Sequence, residues 1–119
     1  MKIVKTYTAL LATDLVRAEA WWSKLLGRGP DFRPMETLVQ WELGLDGGLQ
    51  LVSDTSLAGT GAISLVVEDV EAERARLSGL GIFLDPSFNG TYSTLATIRD
   101  ADGNLIVLAT PPSPAYPPA

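Results

Sequence analysis

The sequence predicts an α+β protein built from one unit used twice, each copy running strand, helix, then two or three strands. Three observations carry this. A β-prone run, an aspartate cap, a helix-period apolar stripe and a terminating glycine follow one another once in each half. An Asp-Gly pair then leads into an apolar strand, "LDGGLQLV" in the first half and "ADGNLIVLA" in the second. The smaller pieces correspond in the same order, "ATDL" with "VEDV" and "LLG" with "GLG".

Residues 4–12, "VKTYTALLA", are apolar and β-prone, and Thr13 and Asp14 after them are N-cap candidates. Leu15, Ala18, Trp22, Leu25 and Leu26 recur at helical spacing until Gly27 stops the helix, with Trp21 read as core and Trp22 as core or interface. Pro30 and Pro34 in "PDFRPM" read as breakers that bend the chain. "TLVQWELGL" alternates apolar with polar, and "DGG" supplies a hairpin turn into "LQLVS". Small polar residues over 53–61 form the linker. In the second half Ala62–Val67 is a strand, and Asp69 caps a helix carrying Val70, Leu77 and Leu80 that ends at Gly81. "IFLD", "STLATI" and "LIVLA" read as strands, the last two joined by the Asp100–Asn104 turn. Neither half buries its sheet alone at this size, so the expectation is a single domain over 1–110, with modules 1–54 and 61–110 and linker 55–60. The proline-rich tail 111–119 is expected to be a disordered extension.

Composition narrows the function. The chain is 46% hydrophobic and carries 14 acidic against 9 basic residues, a net charge of -5. No basic stripe exists, which argues against nucleic acid, and a cationic small molecule is favoured over an anionic one. Cysteine and histidine are both absent, which excludes disulfides and thiolate chemistry. The commonest general base and the commonest transition-metal ligand go with the histidine. Ser64 and Ser93 therefore have no histidine to activate them. Asp100 and Asp102, two apart in a turn, are read as caps on backbone amides rather than as an acid/base pair. Asp14, Arg17 and Glu19 interrupt the first apolar stretch, and no run reaches membrane-spanning length, so a cytoplasmic protein without a membrane partner is expected.

The ordered pieces "ATDLVRAEAWWSKLLG", "VVEDVEAERARLSGLG" and "RDADGNLIVL" together resemble the vicinal oxygen chelate superfamily over residues 4 to 110. That group includes glyoxalase I, extradiol dioxygenases, fosfomycin-inactivating enzymes and bleomycin-resistance proteins. The resemblance implies two tandem βαβββ modules forming curved mixed sheets around a central cleft, with helices on the outer face. It also implies a homodimer. Metal-using members place ligands on the first and last strands of each module. Carried over, those positions are Tyr7, Gln50, Ala62 and Val107, where the last usually holds glutamate. Two of the four have no donor atom, so no metal and no cofactor are expected.

In the family register Tyr7 and Gln50 face the cleft and orient a ligand through hydrogen bonds. Trp41 shares a strand face with Val39 and Leu43, which points to the helix-facing core; the alternative makes it a stacking platform for ligand. Phe88 and Tyr92 lie in "DPSFNGTYSTL", similar to the segment from which bleomycin-resistance relatives present an aromatic side chain. The expected function is metal-independent binding of a hydrophobic natural product or antibiotic, cationic ones included, with contacts from Tyr7, Trp41, Gln50, Phe88 and Tyr92. The alternative is a metal-free lyase, isomerase or cyclase using Tyr7 and Glu42 as acid and base, which requires Glu42 in the cleft with a raised pKa.

Overall fold

Asp14 sits in extended backbone and its carboxylate accepts the amide of Arg17, so the first strand, β1 (Thr6–Ala12), turns directly into helix α1 (Leu15–Leu26). Gly27, at φ 79°, ends α1 in the left-handed conformation that glycine adopts without penalty. The computed structural model describes residues 1–117. Three strands follow, β2 (Phe32–Met35), β3 (Leu38–Leu43) and β4 (Gly47–Ser53), in a sheet of order β1-β4-β3-β2. β1 runs parallel to β4, and the other neighbours are antiparallel.

Two details differ from the sequence reading. Pro34 lies inside β2 instead of breaking the chain, because β2 is the outer strand and a missing amide there costs no ladder bond. The pairing of β2 with β3 also shifts register between Phe32 and Met35. The β3–β4 hairpin turns over residues 44–46, with Gly44 at φ 70°, two residues earlier than "DGG" suggested, and leaves Gly47 and Gly48 within β4.

The second half repeats the order. β5 (Ala62–Val66) leads to α2 (Val70–Ser78), capped by Asp69 onto the amides of Glu71 and Ala72. Leu80 falls past the helix end and is exposed, since the chain closes with turns onto Leu77 and Ser78 before Gly81 at φ 79°. β6 (Phe88–Asn89), β7 (Thr94–Arg99) and β8 (Leu105–Ala109) complete a sheet of order β5-β8-β7-β6. "IFLD" forms no strand. Ile82 and Leu84 are buried, but the stretch offers β7 one ladder bond, Asp85 N to Thr97 O, before Pro86 interrupts it.

The chain divides into two compact units, one of residues 1–62 with 99–105 and one of residues 63–98 with those from 106 onward. In the first, Leu10, Trp22, Val39, Trp41, Leu49 and Leu51 are fully buried between α1 and its sheet. Burying each side chain of this kind contributes roughly 1.5–3 kcal/mol. In the second, Val70 and Leu77 of α2 are buried with Ile63, Ala96, Ile106 and Leu108.

The Asp100–Asn104 turn belongs to the first unit. Asp100 Oδ1 accepts the amides of Asp102, Gly103 and Asn104 at 3.0, 3.0 and 2.9 Å. Its Oδ2 accepts Trp22 Nε1 at 3.1 Å and Asn104 Nδ2 at 2.9 Å. Asn104, with no exposed surface, also donates to Leu11 O and accepts from Gly61 N. Asp102 accepts the amide of Thr13 at 3.0 Å. Both aspartates are thus backbone caps, as their spacing suggested, and the turn is a clasp on α1 and β1. The indole bond also settles Trp22 as core; Trp21 is half-buried and meets it edge-on at 5.6 Å.

After β8, Thr110 N donates to Thr94 O and Ser113 N to Tyr92 O, and the Tyr116 ring stands edge-on to Tyr92 at 5.1 Å. Of the tail 111–119, expected to be a disordered extension, Ser113 and Tyr116 make the last two of these contacts, and residues 118–119 lie outside the described ones.

Candidate functional site

Strand alternation sends Val39 and Trp41 of β3 toward α1 and Gln40 and Glu42 to the opposite, open face. The register then gathers the chemistry. Gln40 stands beside Gln50 of β4, and Glu42 beside Gly48. Tyr7 of β1 pairs with the same Gly48 from the other side. A Cβ at Gly48 would lie 2.5 Å from Trp41 O and 2.5 Å from Tyr7 Cε1. The missing side chain is what lets the Tyr7 ring lie across β4 and reach β3.

The result is a connected polar group on three strands. Tyr7 Oη donates to Glu42, 2.7 Å from Oε1 and 3.0 Å from Oε2. Gln40 Nε2 donates to Glu42 Oε1 at 2.9 Å and to Tyr7 Oη at 3.2 Å. Gln50 Nε2 donates to Gln40 Oε1 at 2.9 Å. Lys5, just ahead of β1, closes the group with Nζ 2.8 Å from Glu42 Oε2 and 5.8 Å from the Tyr7 ring centroid. Behind Glu42, its backbone amide donates to Asp31 Oδ2 at 2.7 Å.

The hydrogen bond from Lys5, then that from Tyr7, lowers the Glu42 pKa below the ordinary carboxylate value. The same Glu42 contact raises the Tyr7 pKa above that of a free phenol and the Lys5 pKa above that of a free ammonium. At neutral pH the group is therefore a carboxylate, a phenol and an ammonium. The acid/base alternative needed a raised Glu42 pKa. The shift runs the other way, because the carboxylate is saturated with donors instead of being isolated in an apolar pocket.

The remaining sequence candidates sit elsewhere. Trp41 has no exposed surface and donates its Nε1 to Arg28 O at 3.0 Å on the helix-covered face, so it is brought together with α1 and not with Tyr7 or Gln50. Phe88, in β6, is 53% exposed. Tyr92 is half-buried and occupied by Tyr116. Arg74 holds the segment leading to Phe88, donating to Leu84 O, Asp85 O and Ser87 Oγ. Ala62 and Val107 lie on the faces of β5 and β8 away from buried Ile63, Ile106 and Leu108.

A metal ion of the kind glyoxalases use does not fit these residues. Ala62 and Val107 present methyl groups, and the carboxylate at Glu42 is taken up by Lys5, Tyr7 and Gln40. Among the described residues no three His, Cys, Asp or Glu side chains cluster to hold a metal ion, and no helix is long and apolar enough to cross a membrane.

Sequence reasoning placed Gln40 and Glu42 on one face but did not select Gln40, Lys5 or Gly48. The signal for Gly48 was the second glycine of "DGG", one more than the turn needs.

No family model and no curated protein matches the chain. Among solved structures, a glyoxalase/bleomycin resistance protein from Catenulispora acidiphila is similar at 28% identity and TM-score 0.83, over 92% of this chain and 99% of that one. An antibiotic-binding protein from a Streptomyces species is 25% identical, TM-score 0.78, over 90% of this chain and 94% of the other. A lactoylglutathione lyase from Agrobacterium tumefaciens shares the fold at 24% identity and TM-score 0.74, over 88% and 91% of the two chains.

Proposed function

The chain belongs to the vicinal oxygen chelate superfamily, and from that premise we propose that it captures an apolar or cationic small molecule, such as a natural product or antibiotic, without a metal ion. The observation that carries this is the hydrogen-bonded group of Tyr7, Gln40, Glu42 and Gln50 on the open face of the first sheet. Its hydroxyl and amide groups already hold defined orientations, so a ligand exchanges partners with them at little ordering cost. Tyr7 and Gln50 anchor the polar edge of the ligand. Ala9 and Val52 beside them supply apolar surface, a combination typical of small-molecule sites. On the second unit, taken by itself, exposed Phe88 and half-buried Tyr92 are the candidate aromatic contacts. A homodimer is the working form in this reading.

The donor-poor positions Ala62 and Val107 support metal independence. The antibiotic-binding relative supports the ligand class. The test is a thermal-shift screen of chelator-treated protein against uncharged and cationic aromatic antibiotics, followed by mass spectrometry of each hit. The expected result is stabilisation with the compound recovered intact. Stabilisation that appears only when a divalent ion is added back, or a compound returned chemically changed, contradicts it.

A further inference from the structure

An ammonium group already sits in the proposed site, and it belongs to the protein. Lys5 Nζ is 2.8 Å from Glu42 Oε2 and stands over the Tyr7 ring, 5.8 Å from its centroid. This is the pairing of carboxylate and aromatic face that recognises organic cations. We infer that Lys5 is a displaceable stand-in for the ligand's own charge: a primary ammonium compound takes the place of Lys5 on Glu42 and over Tyr7. The inference rests on the binding site proposed above and names its ligand class.

The three donors on Glu42 are not held alike. Tyr7 is fixed by its ring lying across Gly48, and Gln40 is bonded onward to Gln50. Lys5 precedes β1, the residue as a whole is exposed, and a third of its side-chain surface faces solvent. Of the three it loses least by leaving, because a long exposed side chain regains rotamer freedom and water.

Exchange of one ammonium for another keeps Glu42 compensated. A neutral ligand that removed Lys5 would strand the carboxylate, and an anionic one would add repulsion. A quaternary ammonium keeps the ring contact but has no N–H for Glu42 Oε2. The site therefore ranks primary ammonium first, quaternary ammonium second and the neutral alcohol third.

The experiment titrates benzylammonium, benzyltrimethylammonium and benzyl alcohol into the native protein, Lys5→Met, Lys5→Gln and Glu42→Gln. It follows the Glu42 carboxyl carbon and the Lys5 amine nitrogen by NMR, with the amide spectrum reporting that each variant is folded. Benzylammonium is expected to move the Glu42 resonance and release the Lys5 signal. Removing Lys5 takes away a competitor of surface-ion-pair strength, so Lys5→Met and Lys5→Gln bind benzylammonium roughly two- to fivefold more tightly. Glu42→Gln lowers its binding to that of benzyl alcohol. The inference is overturned if benzylammonium and benzyl alcohol bind native protein alike, or if removing Lys5 leaves benzylammonium affinity unchanged. Because the probe is a simple amine, a failed antibiotic screen leaves a positive result here standing. A failed amine titration equally leaves Tyr7 and Gln50 available to uncharged ligands.

Discussion

Replacing Gly48 by alanine tests how the site is built. The added Cβ would lie 2.5 Å from Trp41 O, a backbone atom of the neighbouring strand, and 2.5 and 2.7 Å from Cε1 and Cδ1 of Tyr7. Neither approach is tolerable, so the β3 backbone must shift and the Tyr7 ring must swing away from Glu42. Overpacking of this kind costs about 1–3 kcal/mol. Taking about 2 kcal/mol, a chain of this length loses roughly 6–12 °C in Tm. Urea denaturation of native protein, Gly48→Ala, Tyr7→Ala and the double variant measures the coupling. In the Tyr7→Ala background the ring half of the clash is gone, so Gly48→Ala is expected to cost about half as much as in the native chain. A Gly48→Ala variant as stable as native, or one equally costly with and without the Tyr7 ring, refutes the idea that Gly48 makes room for Tyr7.

Trp22→Phe keeps most of the buried ring but removes one of the two donors to Asp100 Oδ2, that from Asn104 Nδ2 remaining, and is expected to cost about 1–3 kcal/mol in urea denaturation, the loss of one buried hydrogen bond to a carboxylate. Acid titration reads the carboxylates. Hydrogen bonds lower the pKa of Glu42 (from Lys5, then Tyr7), of Asp31 (from Arg28, then the Glu42 amide) and of Asp54 (from Ser56). A depressed folded pKa contributes stability that is present above the ordinary value and lost as pH falls through the folded one. Tm is therefore expected to hold steady above the ordinary carboxylate range, near 4.5 for glutamate and 3.8 for aspartate, and to fall below it. Glu42→Gln is expected to flatten part of that fall; an unchanged acid limb in this variant contradicts the assignment. Lys5 and Tyr7 shift upward, so their contribution is present below their ordinary values and lost only in strong alkali.

What the sequence made legible was local. Asp14 with Gly27, and Asp69 ahead of Val70, mark helix starts and a helix stop through contacts a few residues away. Strand alternation likewise separated Trp41 from Gln40 and Glu42, because neighbouring residues on a strand point to opposite faces. The site itself is not local. Tyr7 meets Glu42 across 35 residues, and the indole of Trp22 meets Asp100 across 78. Those meetings depend on which strand lies beside which and in what register, and alternation within one strand is silent on both. Pro34 misled for the same reason: whether a proline breaks a strand depends on whether that strand is at the edge.

The most direct measurement is calorimetric titration of chelator-treated protein with an antibiotic found by the thermal-shift screen, repeated on Tyr7→Phe and Gln50→Leu. A ligand present at about 100 times its Kd adds about 2.7 kcal/mol to the folded state, so the screen itself has ample range. Metal-free capture on the first sheet predicts one saturable binding event unaffected by chelation and weakened at least roughly tenfold in each variant, the loss of about one good hydrogen bond. Binding that vanishes with the chelator, or that survives both substitutions unchanged, contradicts it.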